Sequence, residues 1–207
     1  VHGIGCDPAT GTYYAMTSDA RFLVCRDGQW RTRDTLGGHC VWYGVVAADQ
    51  QYVLLRFDQD RTTRLARFDG ERWHDVPYPG PGHIVSLVAA PARGELVVVH
   101  STYDPWTWRD GLGFHDGAAW RLDPAISEYG AWTQDLQVAA DGTIYSRSHD
   151  GVAAYHEQTW KRLFARDDGL YPGSRLEDAW VDARGDLHVL DDQHRIHRLP
   201  DVRGRLP

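Results

Sequence analysis

The chain has 207 residues, 42% of them hydrophobic and 25% charged, and carries a formal net charge of −7 at pH 7. That length supports one sizeable core. No basic cluster stands out in the sequence, since arginines such as Arg61 and Arg64 are diluted by Asp58 and Asp60, so an electrostatic nucleic-acid face is not expected. No apolar run approaches the roughly 18 residues that span a membrane.

The chain opens on Gly3-Ile4-Gly5-Cys6, a turn at Gly11, and Tyr13-Tyr14-Ala15-Met16. An apolar stretch, Leu23-Val24-Cys25, then runs into Asp27-Gly28 and Trp30. The same order returns. Val45-Val46-Ala47-Ala48 and Tyr52-Val53-Leu54-Leu55 precede Phe68-Asp69-Gly70 and Trp73. Ser86-Leu87-Val88-Ala89-Ala90 and Leu96-Val97-Val98-Val99 precede Phe114-His115-Asp116-Gly117 and Trp120. Leu136 to Tyr145, with its turn at Asp141-Gly142, precedes Tyr155-His156-Glu157-Gln158 and Trp160. Each unit is two hairpins of short strands with Gly or Asp at the turns.

The four tryptophans are spaced by 43, 47 and 40 residues. A period of about 40 to 50 residues with four short strands per unit is the signature of a β-propeller blade. The spacing predicts an all-β, five-bladed propeller of four-stranded antiparallel blades, about 40 residues each. It divides a single domain into blades at approximately 1–37, 38–80, 81–126, 127–170 and 171–207. Trp30, Trp73, Trp120 and Trp160 are expected to pack between blades, and the recurring Asp residues to serve the turns. The last segment, 195–207, matches 151–163 in length, with Gly204 where the repeat has Trp160. It is expected to form a degenerate fourth strand ending at Arg205-Leu206.

Cys6, Cys25 and Cys40 form an odd, unpatterned set. Cys6 and Cys25 fall on strands two apart. Two spacings of about 4.8 Å exceed the limit of about 7 Å between Cα atoms for a disulfide. Buried free thiols are the expectation, and they favour a reducing compartment. With no apolar leader in the sequence, the chain is expected to be soluble and either cytoplasmic or already processed.

Asp168-Gly169-Leu170, a short linker, then Asp182-Ala183-Arg184-Gly185-Asp186-Leu187-His188-Val189 resembles the propeller repeat of bacterial two-component-regulator sensor domains. It is also similar to the repeats of virginiamycin B lyase-like propellers. The likeness is clearest over 131–200. It departs at His188 and Tyr145, where the sensor repeats place Trp. It implies blade architecture. It carries over no catalytic residue, and the lyase activity is not transferred.

Function is sought by topology, because propellers host many unrelated activities. Turns on one face of such a ring are short and regular here. The loops on the other face are long and rich in reactive side chains, and variable loops carry function. The positions that begin each innermost strand are His2, Tyr43, Ser86, Asp135 and Asp178. His39, His83, Trp42 and Trp132 fall around them, and His100 and His149 map to the same face. The segment His100 to Asp110 is expected to be a long loop presenting Trp106 and Trp108. The expected ligand is a small polar or sugar-like molecule bound at this mouth. His2, Asp135 and Asp178 are also a candidate set for a divalent metal, or for acid and base in a lyase or hydrolase. A protein-interaction scaffold using the 100–111 segment is the third reading.

Overall fold

The computed structural model describes the chain apart from residues 1, 2, 8, 9, 18, 20, 36–43, 48, 49, 57–62, 70, 105, 106, 124–134, 149, 150, 166–175 and 207. The described residues form five antiparallel sheets that follow one another along the chain. Sheet one holds β1 (Gly3–Asp7), β2 (Thr12–Met16), β3 (Arg21–Arg26) and β4 (Gln29–Thr35). Sheet two holds β5 (Gly44–Ala47), β6 (Gln50–Arg56), β7 (Thr63–Phe68) and β8 (Trp73–Asp75). Sheet three holds β9 (His83–Ala90), β10 (Glu95–Asp104), β11 (Thr107–His115) and β12 (Trp120–Asp123). Sheet four holds β13 (Asp135–Val138), β14 (Ile144–Ser148), β15 (Gly151–His156) and β16 (Thr159–Ala165). Sheet five holds β17 (Leu176–Val181), β18 (Leu187–Asp191) and β19 (Ile196–Leu199). In every sheet the strands lie in sequence order, and the first strands of sheets one to four meet in succession, β1 on β5, β5 on β9 and β9 on β13. No described helix is long and apolar enough to cross a membrane.

The outer turns form as their Asp residues dictate. Asp69 Oδ1 accepts from the N–H groups of Glu71 and Arg72 at 2.9 Å, and Asp116 Oδ1 does the same for Ala118 and Ala119. In sheet one the turn is Asp27-Gly28 with φ of 53° and 74°, the left-handed pair that a two-residue hairpin needs. Sheet four achieves it with Glu157 and Gln158 at 46° and 64°. The Asp182 carboxyl is held down to about 2 by the Asp186 N–H, with His188 adding a second partner.

Successive sheets are joined by aromatic and aliphatic wedges. Phe22 of sheet one meets Phe68 and Trp73 of sheet two at 5.4 and 4.8 Å between ring centres. Trp120 packs with Tyr78, Leu65, Ile84 and Leu87 between sheets two and three. Trp160 lies with Phe114, Tyr155, Leu112 and Val99 between sheets three and four. Trp73, Trp120 and Trp160 thus face the preceding sheet, as their repeat position predicts.

Trp30 departs from that expectation. Trp160 is 6% exposed, whereas Trp30 is 47% exposed. Trp30 pairs with Cys25, and Cys25 with Tyr13, so all three share the face of sheet one turned away from sheet two. Among the described residues no sheet covers that face, whereas Trp73, Trp120 and Trp160 each have one against them. Cys25 is buried as expected, but Cys6 is exposed; both are free thiols.

The fourth strand expected at Arg205-Leu206 is a 3-10 turn over Arg203–Arg205 instead. Its cause lies in Asp186. The Asp186 carboxylate binds the Arg198 guanidinium and accepts the Asp201 N–H at 2.9 Å. The Val202 N–H then bonds to the Gly185 carbonyl, and the Val202 side chain is fully buried between sheets four and five. The chain end is drawn back over the inner hairpin rather than continuing along β19.

Truncation of these tryptophans should separate them. Trp160→Ala should cost about 3 to 5 kcal/mol in urea denaturation, and Trp30→Ala under about 1 kcal/mol. Equal losses would contradict the assignment of Trp30 to an uncovered face.

Candidate functional site

The mouth of the predicted channel is defined by the starts of the inner strands. Of the residues expected there, His2, His39, Trp42, Tyr43, Trp132, Trp106 and His149 lie outside the described residues. Asp135 and Trp108 are placed by their backbone register.

Asp135 begins β13 and is paired with Arg147, near the end of β14. Arg147 Nε lies 3.8 Å from Asp178 Oδ1 on β17, with the Arg147 side chain 15% exposed. The joint that holds this geometry is a double hydrogen bond two residue pairs further in. Gln137 Nε2 donates to the Val181 carbonyl at 3.1 Å, and the Val181 N–H donates to Gln137 Oε1 at 2.8 Å. The Gln137 amide thus couples β13 to β17 as a backbone ladder would. Asp178 sits at a register shift in β17, which turns it outward, and its Oδ1 also accepts the Ala179 N–H at 2.8 Å.

Arg147 was not among the candidates read from the sequence. Its register opposite Asp135 was countable from the hairpin turn, but its approach to Asp178 depends on the neighbouring sheet. The arrangement changes the chemistry expected of the mouth. Two carboxylates side by side repel and raise one pKa unless a cation offsets them. Here Asp178 faces a guanidinium, the role assigned to a metal ion in the sequence reading. Among the described residues no group of three His, Cys, Asp or Glu side chains is placed to hold a metal.

His83 begins β9 and is exposed, and the residue before it is Gly82, at φ 75° and placed so that a Cβ would meet the Ser101 carbonyl at 2.1 Å. His100 is placed differently from the expectation. It is buried within sheet three, its Nδ1 bonded to the Tyr78 hydroxyl. Burial lowers its pKa, a pull that Asp110 opposes, and burial raises that of Tyr78. Its place is explained by the segment that follows. The expected 100–111 loop is a hairpin in which β10 and β11 remain paired out to Asp104 and Thr107. Alternation along those strands turns His100 inward, against Gly111, whose missing side chain makes room for the imidazole. Trp108 accordingly lies on a strand, opposite Tyr103.

At the far end of sheet five, Asp191 is fully buried and holds its turn together. Burial pushes its carboxyl up, but Arg195, His197 and two backbone N–H groups outweigh that and leave it well below the usual range. This is a staple for the β18–β19 turn.

No protein-family model matches the chain, and no curated protein matches it. Solved structures do. The chain is similar to the extracellular domain of the hybrid two-component system BT4673 from B. thetaiotaomicron, at a TM-score of 0.62 and 12% identity over 95% of this chain and 26% of that one. It is similar to YCF48 from Cyanidioschyzon merolae, at 0.64 and 13% over 96% of this chain and 66% of that one. It is also similar to XC5397, a gluconolactonase from Xanthomonas campestris, at 0.56 and 15% over 97% and 72%. The chain thus spans about a quarter of the first and just under two thirds of the second. At such identities the likeness is one of fold, and that fold is the β-propeller.

The buried imidazoles set a pH dependence. His100 and His115 both have pKa values lowered from 6.5 by burial, so the unfolded chain binds protons that the folded one refuses. Stability should be full above that value and fall as pH drops below it. His100→Asn should flatten part of the fall in urea titrations between pH about 7 and 5, leaving the His115 share. A wild-type stability that rises on acidification through this window would refute the assignment.

Proposed function

We propose that the protein is a binding propeller that takes a small polar or sugar-like ligand at the mouth formed by the inner strands. The observation that carries this reading is the Arg147–Asp178 pair between sheets four and five, with Asp135 in register beside it. A guanidinium donates in a rigid fork and a carboxylate accepts, so together they recognise hydroxyl and carboxylate groups that neither would hold alone. Arg147 is mostly shielded while Asp178 is open to solvent, so a ligand meets the acid first and the guanidinium at depth. The exposed His83 at the start of β9 fits a polar rim. Among proteins of this fold, one is a gluconolactonase and YCF48 is seen bound to D1 peptide, so both small-molecule and peptide ligands suit such a scaffold.

Glucose, gluconate and glucono-lactone are the probes. Gluconate should bind saturably in calorimetry, and Arg147→Gln should weaken it about tenfold or more with an unchanged melting temperature. Asp178→Asn should weaken glucose as well. Gluconate binding unaffected by either substitution would remove the mouth from consideration. Consumption of the lactone, lost in Asp178→Asn, would move the reading to hydrolase chemistry at the same residues.

The five sheets form one ring in this proposal, closed by sheet five against sheet one. Tyr13 and Trp30 are exposed on the outer face of sheet one. Trp180 and Ile196 are exposed on the face of sheet five opposite its contact with sheet four, where Trp180 stacks on His188 at 5.1 Å. Isolated exposed apolar residues are ordinary, but Tyr13 with Trp180 and Ile196 on the two terminal faces mark surfaces suited to each other, while Trp30, on the outermost strand, lies beyond them. The outer part of that seam stays open because sheet five has three described strands. Small-angle scattering should give a monomer with a radius of gyration of about 17 Å. A clearly larger radius, or a dimer, would mean that the two faces meet other partners.

A further inference from the structure

The wedge between the outer strands of sheets one and two differs from its counterpart between sheets three and four. In sheet three Phe114 is paired with Arg121, as Val24 is paired with Arg31 in sheet one. Across the wedge, Tyr155 of sheet four corresponds to Phe68 of sheet two, since each pairs with its sheet's Trp. Between sheets three and four this set closes on itself. Phe114 stacks on Tyr155 at 5.5 Å. The Arg121 guanidinium lies 3.8 Å above the Phe114 ring, within 3.5 Å of the Tyr155 hydroxyl and 3.7 Å of Glu95.

Between sheets one and two every anchor of that arrangement is changed. Valine replaces the phenylalanine under the arginine, and Phe68 has no hydroxyl to receive it. Arg31 turns instead to the side chain of Gln29, at 3.4 Å. What remains is a cavity of about 660 Å³. Its floor is Tyr14, Val24 and Phe68, and Arg26, Arg31 and Arg33 stand around it, with Asp27 the one acid among the described lining residues. A local excess of arginine on a chain of net charge −7 is a departure from the surface as a whole. The volume lies within the range of about 300 to 1,000 Å³ typical of small-molecule sites.

We infer that this wedge binds a small organic anion with a flat apolar body, its ring taking the place that Phe114 fills between sheets three and four and its carboxylate or phosphate lying among Arg26, Arg31 and Arg33. The ring would lie on Val24, Tyr14 and Phe68. The arginines supply charge-assisted, bidentate donors to the anion. The wedge lies at the outer-turn end of sheet one, opposite in topology to the end that carries Arg147. It therefore stands or falls independently of the mouth.

Cinnamate, its neutral amide cinnamamide, and phenyl phosphate are the probes, titrated against the full chain by calorimetry and followed by tryptophan fluorescence. Saturable binding of cinnamate or phenyl phosphate, tighter than cinnamamide by about tenfold, is expected. The tighter of the two anions identifies the head group. Val24→Phe, which restores the residue of sheet three, should weaken the anion by about tenfold or more and leave the melting temperature equal or higher. Arg31→Gln, an exposed change that leaves the floor intact, should weaken the anion and leave cinnamamide within about twofold. Arg147→Gln should leave all three probes unchanged. The inference is overturned if neither anion saturates by about 10 mM. It is likewise overturned if cinnamamide binds as tightly as the anions, or if Val24→Phe and Arg31→Gln both bind as the wild type does.

Discussion

A sheet of three or four short strands has two faces and little thickness, so each face needs another sheet against it or must be left to water. The rest of this structure follows from that constraint. Aromatic side chains fill the wedges because successive twisted sheets diverge outward, and a large flat group spans the gap that Val or Leu cannot. Phe22, Phe68 and Trp73 do so between sheets one and two, and Phe114, Tyr155 and Trp160 between sheets three and four. The inner strands, being closer together, use smaller residues, among them Ala90 and Leu136.

The same constraint explains which features were legible in the sequence. Strand order, turn positions and the role of the recurring Asp residues are local, set within one hairpin by alternation and by backbone N–H groups two or three residues on. Asp69, Asp116 and Asp182 behave as their positions in the repeat imply. The fate of Trp30 is not local. Its repeat position is that of Trp160, yet its burial depends on the sheet opposite, which the repeat does not encode. The last strand fails for a related reason. Residues 195–207 have the length of a hairpin, but Asp186, Arg198 and Asp201 form a polar lock that turns the chain back, and Gly204 supplies no side chain to hold an outer strand in place.

The candidate mouth divides in the same way. That Asp135 begins an inner strand and that Asp178 lies near the start of another was readable by counting back from turns. That an arginine stands beside them was not, because Arg147 belongs to the second strand of one sheet and reaches the first strand of the next. Its presence shifts the chemistry from a pair of like charges, which would invite a metal or a shared proton, to a matched donor and acceptor. His100 shows the opposite error. Its place after a run of valines, Val97 to Val99, suggested a strand end, whereas β10 continues to Asp104 and the imidazole turns inward onto Tyr78. A histidine at a predicted loop is informative only when the strand has in fact ended.

The repeats are a set of internal controls, since each wedge is built on the same backbone by different residues. Where a phenylalanine, a tyrosine hydroxyl and an arginine occur together, the wedge fills and the arginine is consumed by its own neighbours. Where valine and a second phenylalanine stand in those positions, the arginine is left at the edge of a cavity with an apolar floor. Neither substitution alone would open the site. Val24 with a tyrosine opposite would leave the guanidinium bound to the hydroxyl, and phenylalanine with Phe68 opposite would leave no volume. The two changes are coupled through Arg31, and that coupling, more than the exposure of any one residue, distinguishes this wedge from its counterpart between sheets three and four.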